Sequence, residues 1–340
     1  MAPRPKKRET PQSSTNTFVD ALRFVGAVTK DVGAPFETHV SLGGNWASAF
    51  NGVLASGVKI QEDIYACPNN KILIEALSKC GEHISITQLD NGRLSIKSDK
   101  FKAVVPCIDP VSIQIGTPDE PIAVIDNRLK SAIEAVGILA DPNAQSVAAA
   151  SILLAGQSTI ATNGHIMFEY WHGIDLPHGL ALPKAVVPAL AKNNKTFSKF
   201  GFSSSSATFF FNDDSWLKTQ FYAEQWPEVR HILDTKANLW PVPKDFFTAL
   251  AAVAPFSPDG LVHFDKEVLR SHNVEGVGAS YEVSGLPKGP IFNAKQLQLI
   301  KPYAETIDFM AKGPNHIHSM LVFYGGSIPI RGMITGRSAQ

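Results

Sequence analysis

Apolar positions along this chain follow two spacings in turn, and the turn-taking repeats six times. Six segments carry the helical spacing of three or four residues, which gathers side chains on one face. Residues 17–30 align Phe18, Leu22 and Val25, with Asn16 placed as an N-cap. Residues 69–82 align Ile72, Leu73, Ala76, Leu77 and Cys80, and residues 126–140 align Leu129, Ala132, Ile133 and Val136. A fourth segment follows Pro183 with Val186, Val187 and Leu190, and a fifth follows Pro243 with Phe246, Phe247, Leu250 and Ala251. The sixth begins near Asn293 with Leu297 and Ile300. Pro188 and Pro302 fall inside the fourth and sixth, where a proline shortens or kinks a helix. Equivalent positions (Val19, Ile72, Leu129, Ala185, Phe246 and Gln296) are 53, 57, 56, 61 and 50 residues apart.

Between these segments the period drops to two. Residues 83–98 read as a hairpin: Ile84 and Ile86 alternate, Asp90-Asn91-Gly92 turns the chain, and Leu94 and Ile96 alternate back. Residues 101–105 continue the meander. The same grammar recurs in 158–171 around Asn163-Gly164, in 207–222 around Asn212-Asp213-Asp214, and in 306–334. Each repeat is therefore one helix plus a few antiparallel strands. One helix cannot cover a sheet alone, so repeats should pair. The expectation is an α+β fold of three repeated domains, each with two helices against antiparallel sheets, at 17–120, 121–236 and 237–340. Boundaries fall near 110–121 and 235–241, and 340 residues suit that number. Residues 1–16, with Arg4, Lys6, Lys7 and Arg8 among prolines, serines and threonines, read as a disordered basic tail.

Composition adds limits. Apolar residues make up 44% and charged residues 18%, a globular balance without an apolar run long enough to span a membrane. The basic N-terminus has no apolar stretch behind it, so a cytoplasmic location is expected. Cys67, Cys80 and Cys107 lack zinc-site spacing and are odd in number, so they read as buried, reduced thiols. Formal net charge is zero but unevenly spread. The six helix windows hold twelve cations and six anions: Arg23, Lys30, Lys71, Lys79, Arg128, Lys130, Lys184, Lys192, Lys195, Lys244, Lys295 and Lys301 against Asp20, Glu75, Glu82, Asp126, Glu134 and Asp245. Basic helices on an otherwise acidic protein would draw a phosphate backbone without reading its bases.

Catalytic motifs are missing. The chain has no GxxxxGK[ST], GxSxG, HExxH or strand-borne GxGxxG. His316 and His318 form an HxH pair without a third ligand type nearby, and Asp213-Asp214 sits in a turn, so neither predicts a metal site. A hydrolase assembled from scattered residues around His165 and Asp175 lacks a nameable nucleophile and base. No cofactor is expected.

Several strings then gain meaning from their order within the repeat. Ile160-Ala161-Thr162-Asn163-Gly164-His165 resembles an "ATDGHR" strand opening, Leu182-Pro183-Lys184-Ala185 a "VPRK" helix start, and residues 225–233 an "FPDYRRVLP" domain close. Gly92–Ser98 with Lys100-Phe101-Lys102 is similar to a strand pair of the same family. That family is the bacterial sliding clamp, the β subunit of DNA polymerase III. The resemblance implies a non-catalytic processivity factor: a head-to-tail homodimer closing into a ring around duplex DNA, with helices lining the hole. By the same resemblance, an edge strand bearing Phe101 and Ala103 meets Pro255 and Phe256 of the other copy, and core packing is the alternative for those apolar residues. A pocket for short peptides of polymerase and clamp loader maps to Thr162, Gly164, His165, Ile166, Met167, Pro227, His231, Ile232, Ile334 and Gly336. Contacts to DNA map to Arg23, Lys30, Lys71, Lys79, Lys130, Lys192, Lys195, Lys244, Lys295 and Lys301. Ile166 and His231 replace the family's arginines, a different C-terminus replaces its "MPMRL", and residues 145–150 are small and polar where its DNA-touching loop carries Arg-Tyr. These departures leave room for a clamp-like decoy or scaffold that binds the peptides without serving a polymerase.

Overall fold

The computed structural model describes residues 15–81, 83–89, 91–191, 193–274, 276–313 and 319–338. The tail at 1–14, Lys192, and the His316–His318 pair lie outside the described residues. All six helices form, each shorter than its apolar pattern: Thr15–Gly26, Asn70–Leu77, Asn127–Gly137, Val186–Ala191, Phe246–Val253 and Ala294–Leu299. Asn16 lies inside the first helix and is not its N-cap. That helix ends at Gly26, where a side chain would meet the Asn70 amide at 2.6 Å. Asn69 caps the second helix by accepting from the Ile72 amide at 3.1 Å. Pro188 falls in the first turn of a six-residue helix, where a missing amide is tolerated. Pro302 lies beyond the last helix, so it kinks nothing.

The described chain divides into two compact units. The first comprises residues up to Lys130 with Ala185–Phe221. Its seven-stranded antiparallel sheet runs Ser41–Gly43, Trp46–Phe50, Leu54–Lys59, Trp216–Gln220, Ser206–Phe211, Phe197–Phe202, Pro121–Val124. Leu54–Lys59 and Trp216–Gln220 can pair closely because position 57 is glycine: a side chain there would strike the Trp216 ring at 2.5 Å. Phe197, Phe200, Phe209 and Phe211 form the aromatic centre of its core, and Phe24 meets Phe211 edge-on at 5.6 Å. The predicted meander is present as Ser85–Gln88, Leu94–Ser98 and Phe101–Val105.

The second unit comprises Ser131–Lys184 and Tyr222–Gln340. Its eight-stranded sheet runs His178–Pro183, Ser151–Ala155, Ser158–Thr162, Ile166–Trp171, Ile330–Thr335, Ser319–Tyr324, Thr306–Lys312, Trp240–Pro241. A five-stranded sheet, Ser280–Glu282 to Arg337–Ser338, packs Phe264 and Phe292 beside Phe246 and Phe309. Each large sheet joins strands from both sides of a predicted boundary. The three thiols are free, but only Cys67 is fully buried, with Cys80 and Cys107 half-buried; burial raises the pKa of each.

Candidate functional site

A cavity of about 390 Å³ opens in the second unit, against the large sheet. One wall is the turn between Ser158–Thr162 and Ile166–Trp171. Its geometry is fixed locally: Asn163 Oδ1 accepts from the amides of His165 and Ile166, both at 3.0 Å, while Thr162 Oγ1 donates to the Ile166 carbonyl at 2.8 Å. Gly164 takes φ +86°, a left-handed conformation that favours glycine. The floor is methionine. Met167 pairs in register with Met333, and Met320 joins them, so three of the chain's five methionines line one cavity. Such side chains adapt to more than one apolar ligand.

Pro227, Val229 and Ile232 supply the opposite wall. They are held by two anchors. Trp226 is buried, and its Nε1 donates to Ser151 Oγ at 2.8 Å. The short 3-10 helix Arg230–Asp234 is tied down by Glu169, which is wholly buried in the sheet and pairs with Arg230 and Arg331, each at 2.7 Å. Arg331 also reaches Asp234 at 3.0 Å. Burial opposes the Arg331 charge, but hydrogen bonds from it to Tyr324, Glu169 and Asp234 raise its pKa on balance.

Seven of the ten sequence-assigned pocket residues line this cavity: Thr162, Gly164, His165, Ile166, Met167, Pro227 and Ile232. Ile166 borders it, but strand alternation directs its fully buried side chain to the other sheet face, beside its register partner Ile334. The C-terminal assignment slips by one residue for the same reason. Met333 and Thr335 line the cavity, whereas Ile334 and Gly336 face away, Gly336 so close to Phe292 that a side chain would meet its ring at 2.5 Å. His231 borders an adjoining trough instead. Ser146, Ala148 and Ala149 were readable only as a small, polar loop. They form one helical turn, Val147–Ala150 with Ser146 as its cap, and complete the rim.

The cations separate into two sets. Arg23, Lys30, Lys71 and Lys195 border one groove of about 730 Å³ in the first unit. Each has an acidic partner: Asp20 at 3.1 Å for Arg23, Glu37 for Lys30, Asp31 at 3.5 Å for Lys71 and Asp213 at 2.6 Å for Lys195. Lys30 donates to Glu37 and lowers that carboxyl's pKa; burial opposes ionisation of Asp213, but Lys195 and Ser215 more than offset it. Lys195 also lies 4.0 Å from the Phe24 ring centre, and Lys130 donates to the Asn193 carbonyl at 2.6 Å. Lys79, Lys244, Lys295 and Lys301 are exposed, with no ion pair among the described residues. Because the helices are short, Lys30, Lys79, Lys195 and Lys301 lie just past helix C-termini, where the dipole favours cations. The helices proper carry an excess of only two positive charges.

Phe101 and Ala103 lie half-exposed on Phe101–Val105, an edge strand of the meander. Phe256 is 60% exposed in the turn Ala254–Phe256 and Pro255 is exposed beside it, so core packing does not account for them. His165 and Asp175 stand beyond opposite ends of Ile166–Trp171, separated by about 20 Å of strand, too far to share a reaction centre. Among the described residues no three potential ligands gather for a metal, and Asp213 and Asp214 pair with Lys195 and Lys59.

No protein-family model matches the chain, and no curated protein matches it in sequence. Solved structures do match in fold. The DNA polymerase sliding clamp from Caulobacter crescentus superposes with a TM-score of 0.80 at 17% identity, covering 96% of this chain and 99% of that one. The Helicobacter pylori β clamp bound to a DNA ligase peptide gives 0.75 at 16% identity, covering 96% and 99%. The DNA polymerase III β subunit from Pseudomonas aeruginosa gives 0.77 at 12% identity over the same shares. This chain has the β-clamp fold over nearly its whole length.

Proposed function

We propose that the protein is a sliding clamp, a processivity factor without catalytic chemistry or cofactor, working on DNA in the cytoplasm. Two copies, each of three clamp domains at 17–120, 121–236 and 237–340, close head-to-tail into a ring around duplex DNA. Such an interface is heterologous but closes by rotation. The edge strand with Phe101 and Ala103 meets Pro255 and Phe256 of the other copy. Exposed lysines, Lys79, Lys244, Lys295 and Lys301 foremost, hold phosphates without reading bases. The methionine-floored cavity takes short peptides of a polymerase and its clamp loader, as an extended segment laid in an apolar groove.

One observation carries this reading: a preformed apolar cavity, rimmed by the Thr162–Ile166 turn and Pro227, within a β-clamp fold. A clamp of the same fold binds a DNA ligase peptide. Primer extension with a polymerase and loader from the same source tests it: the protein should lengthen products made in a single binding event. A second reading has its own support, since every cation of the first-unit groove is matched by an acid. A decoy or scaffold would bind clamp-directed peptides yet leave product length unchanged.

A further inference from the structure

The peptide cavity does not end at Gly313. That residue also borders a trough of about 560 Å³, which shares Asn238, Asp308 and Met310 with a further hollow of about 660 Å³. All three spaces belong to the second unit; the trough and hollow follow one strand, Thr306–Lys312, toward the sheet's edge, and the cavity meets the residue just past its end, Gly313. At about 3.3 Å per residue, Met310 stands roughly 10 Å from the cavity's end at Gly313.

The far end is apolar and open. Trp240 is 72% exposed and Met310 50%. Trp240 lies on the sheet's edge and Met310 in a bulge. Trp240 sits on the two-residue edge strand Trp240–Pro241, opposite Ile307, and Pro241 lacks the donor that would let a further strand add there. A register shift between Asp308 and Ala311 marks a bulge, and Met310 within it is exposed while Phe309 and Ala311 on either side are buried. A single exposed apolar residue is ordinary. Two bordering one hollow, beside an apolar cavity, mark a contact surface.

The trough between sets Lys236 and Lys312 against Asp234 and Asp308, but both carboxylates are already engaged. Asp308 is engaged by the amides of Asn238 and Met310, both at 2.8 Å, and Asp234 by Arg331. Lys236 and Lys312 border the trough, exposed and without an ion pair among the described residues.

We propose that the peptide ligand is bipartite. Its first part fills the methionine-floored cavity. An Asp or Glu then crosses Lys236 and Lys312, and an aromatic residue about three or four positions from the cavity packs on Trp240 and Met310. This rests on the peptide-pocket reading. A tryptophan at the end of a groove is the residue type that most often dominates an interface.

Fluorescence anisotropy on the full chain tests the proposal with labelled peptides. The first is a pentapeptide with adjacent Leu and Phe. The others extend it, at either end, by five residues that are acidic and close on Trp, or by five of Gly and Ser. The acidic-aromatic extension at one end should tighten binding about tenfold over its Gly-Ser counterpart. Trp240→Ala and Met310→Ala should each lose most of that gain while holding the pentapeptide as the unaltered protein does, which also shows that they fold. The Lys236→Ala, Lys312→Ala double variant should lose the salt-sensitive part of the gain. A gain below about threefold, or one kept in both apolar variants, overturns the extended site while leaving the cavity standing. If the pentapeptide itself fails to bind, the cavity reading falls and the bipartite site falls with it.

Discussion

The cavity of the second unit and the cationic groove of the first are both concave, and both collect residues distant in sequence, but they are built on opposite terms. In the cavity, polar groups are spent on holding walls. Thr162 and Asn163 lock a turn, Glu169 locks a 3-10 helix, and Ser151 holds Trp226, so what faces the interior is methionine and aliphatic carbon. In the groove, polar groups face one another. Arg23, Lys30, Lys71 and Lys195 each turn to a carboxylate, and the local field is far weaker than the number of cations suggests. A preorganised apolar site can be recognised from its walls. A charged surface is known only after its counter-charges are placed.

The sharpest way to break the contrast is to remove a wall. Trp226→Ala deletes a buried ring and leaves Ser151 Oγ without its donor; it should cost about 3–5 kcal/mol in urea unfolding. Peptide binding should fall with it. A variant that unfolds as the original does would show that the wall stands without its anchor.

A smaller effect comes from charging the cavity while keeping its frame. Ile232 is only partly buried, so Ile232→Asp should fold, yet weaken a Leu-Phe pentapeptide about a hundredfold in anisotropy titrations, by setting a carboxylate against desolvated carbon. Unchanged affinity would show that the peptide binds elsewhere.

The groove is tested against the exposed lysines. Replacing Lys79, Lys244, Lys295 and Lys301 with Glu should lower the slope of log affinity against log salt by about 0.9 for each phosphate left without its lysine. Replacing Arg23 and Lys71, already paired with Asp20 and Asp31, should lower it less per residue. Equal slopes per residue would mean that the ion pairs open on DNA.

The smallest effect concerns Asp119, a buried carboxylate of the first unit. Burial raises this carboxyl's pKa, but hydrogen bonds from Thr208, Lys218 and Ser206 outweigh it and hold the value below the ordinary one. Its stabilisation is therefore full above the unfolded pKa, near 3.9, and fades as pH falls through the lower folded value. Asp119→Asn should cost about 1 kcal/mol at neutral pH and progressively less in acid, read from unfolding curves across that range.

Much of this was legible in the order of residues alone. Helical spacing located the six longer helices, because an apolar stripe must bury itself wherever it lies, but not the single turns Pro35–Thr38 and Val147–Ala150. The turn at Asn163-Gly164 was legible from its chemistry. The ends of helices were not: the first stops at Gly26, whose missing side chain leaves room for Asn70, a neighbour 44 residues away in sequence. Which C-terminal residues line the cavity was not legible: Met333 and Thr335 do and Ile334 and Gly336 do not, since a strand's facing is set by its partner's register, here Met333 opposite Met167. Pairings such as Lys30 with Glu37 or Lys195 with Asp213 were hidden because turns bring them together.

The central claim is a ring, and the mass of the chain in solution tests it most directly. Sedimentation equilibrium at micromolar concentration should give twice the 36.8 kDa chain mass, and Phe101→Arg should return it to the single-chain value. An unaltered protein that sediments as a 36.8 kDa monomer throughout that range would contradict a ring of two copies.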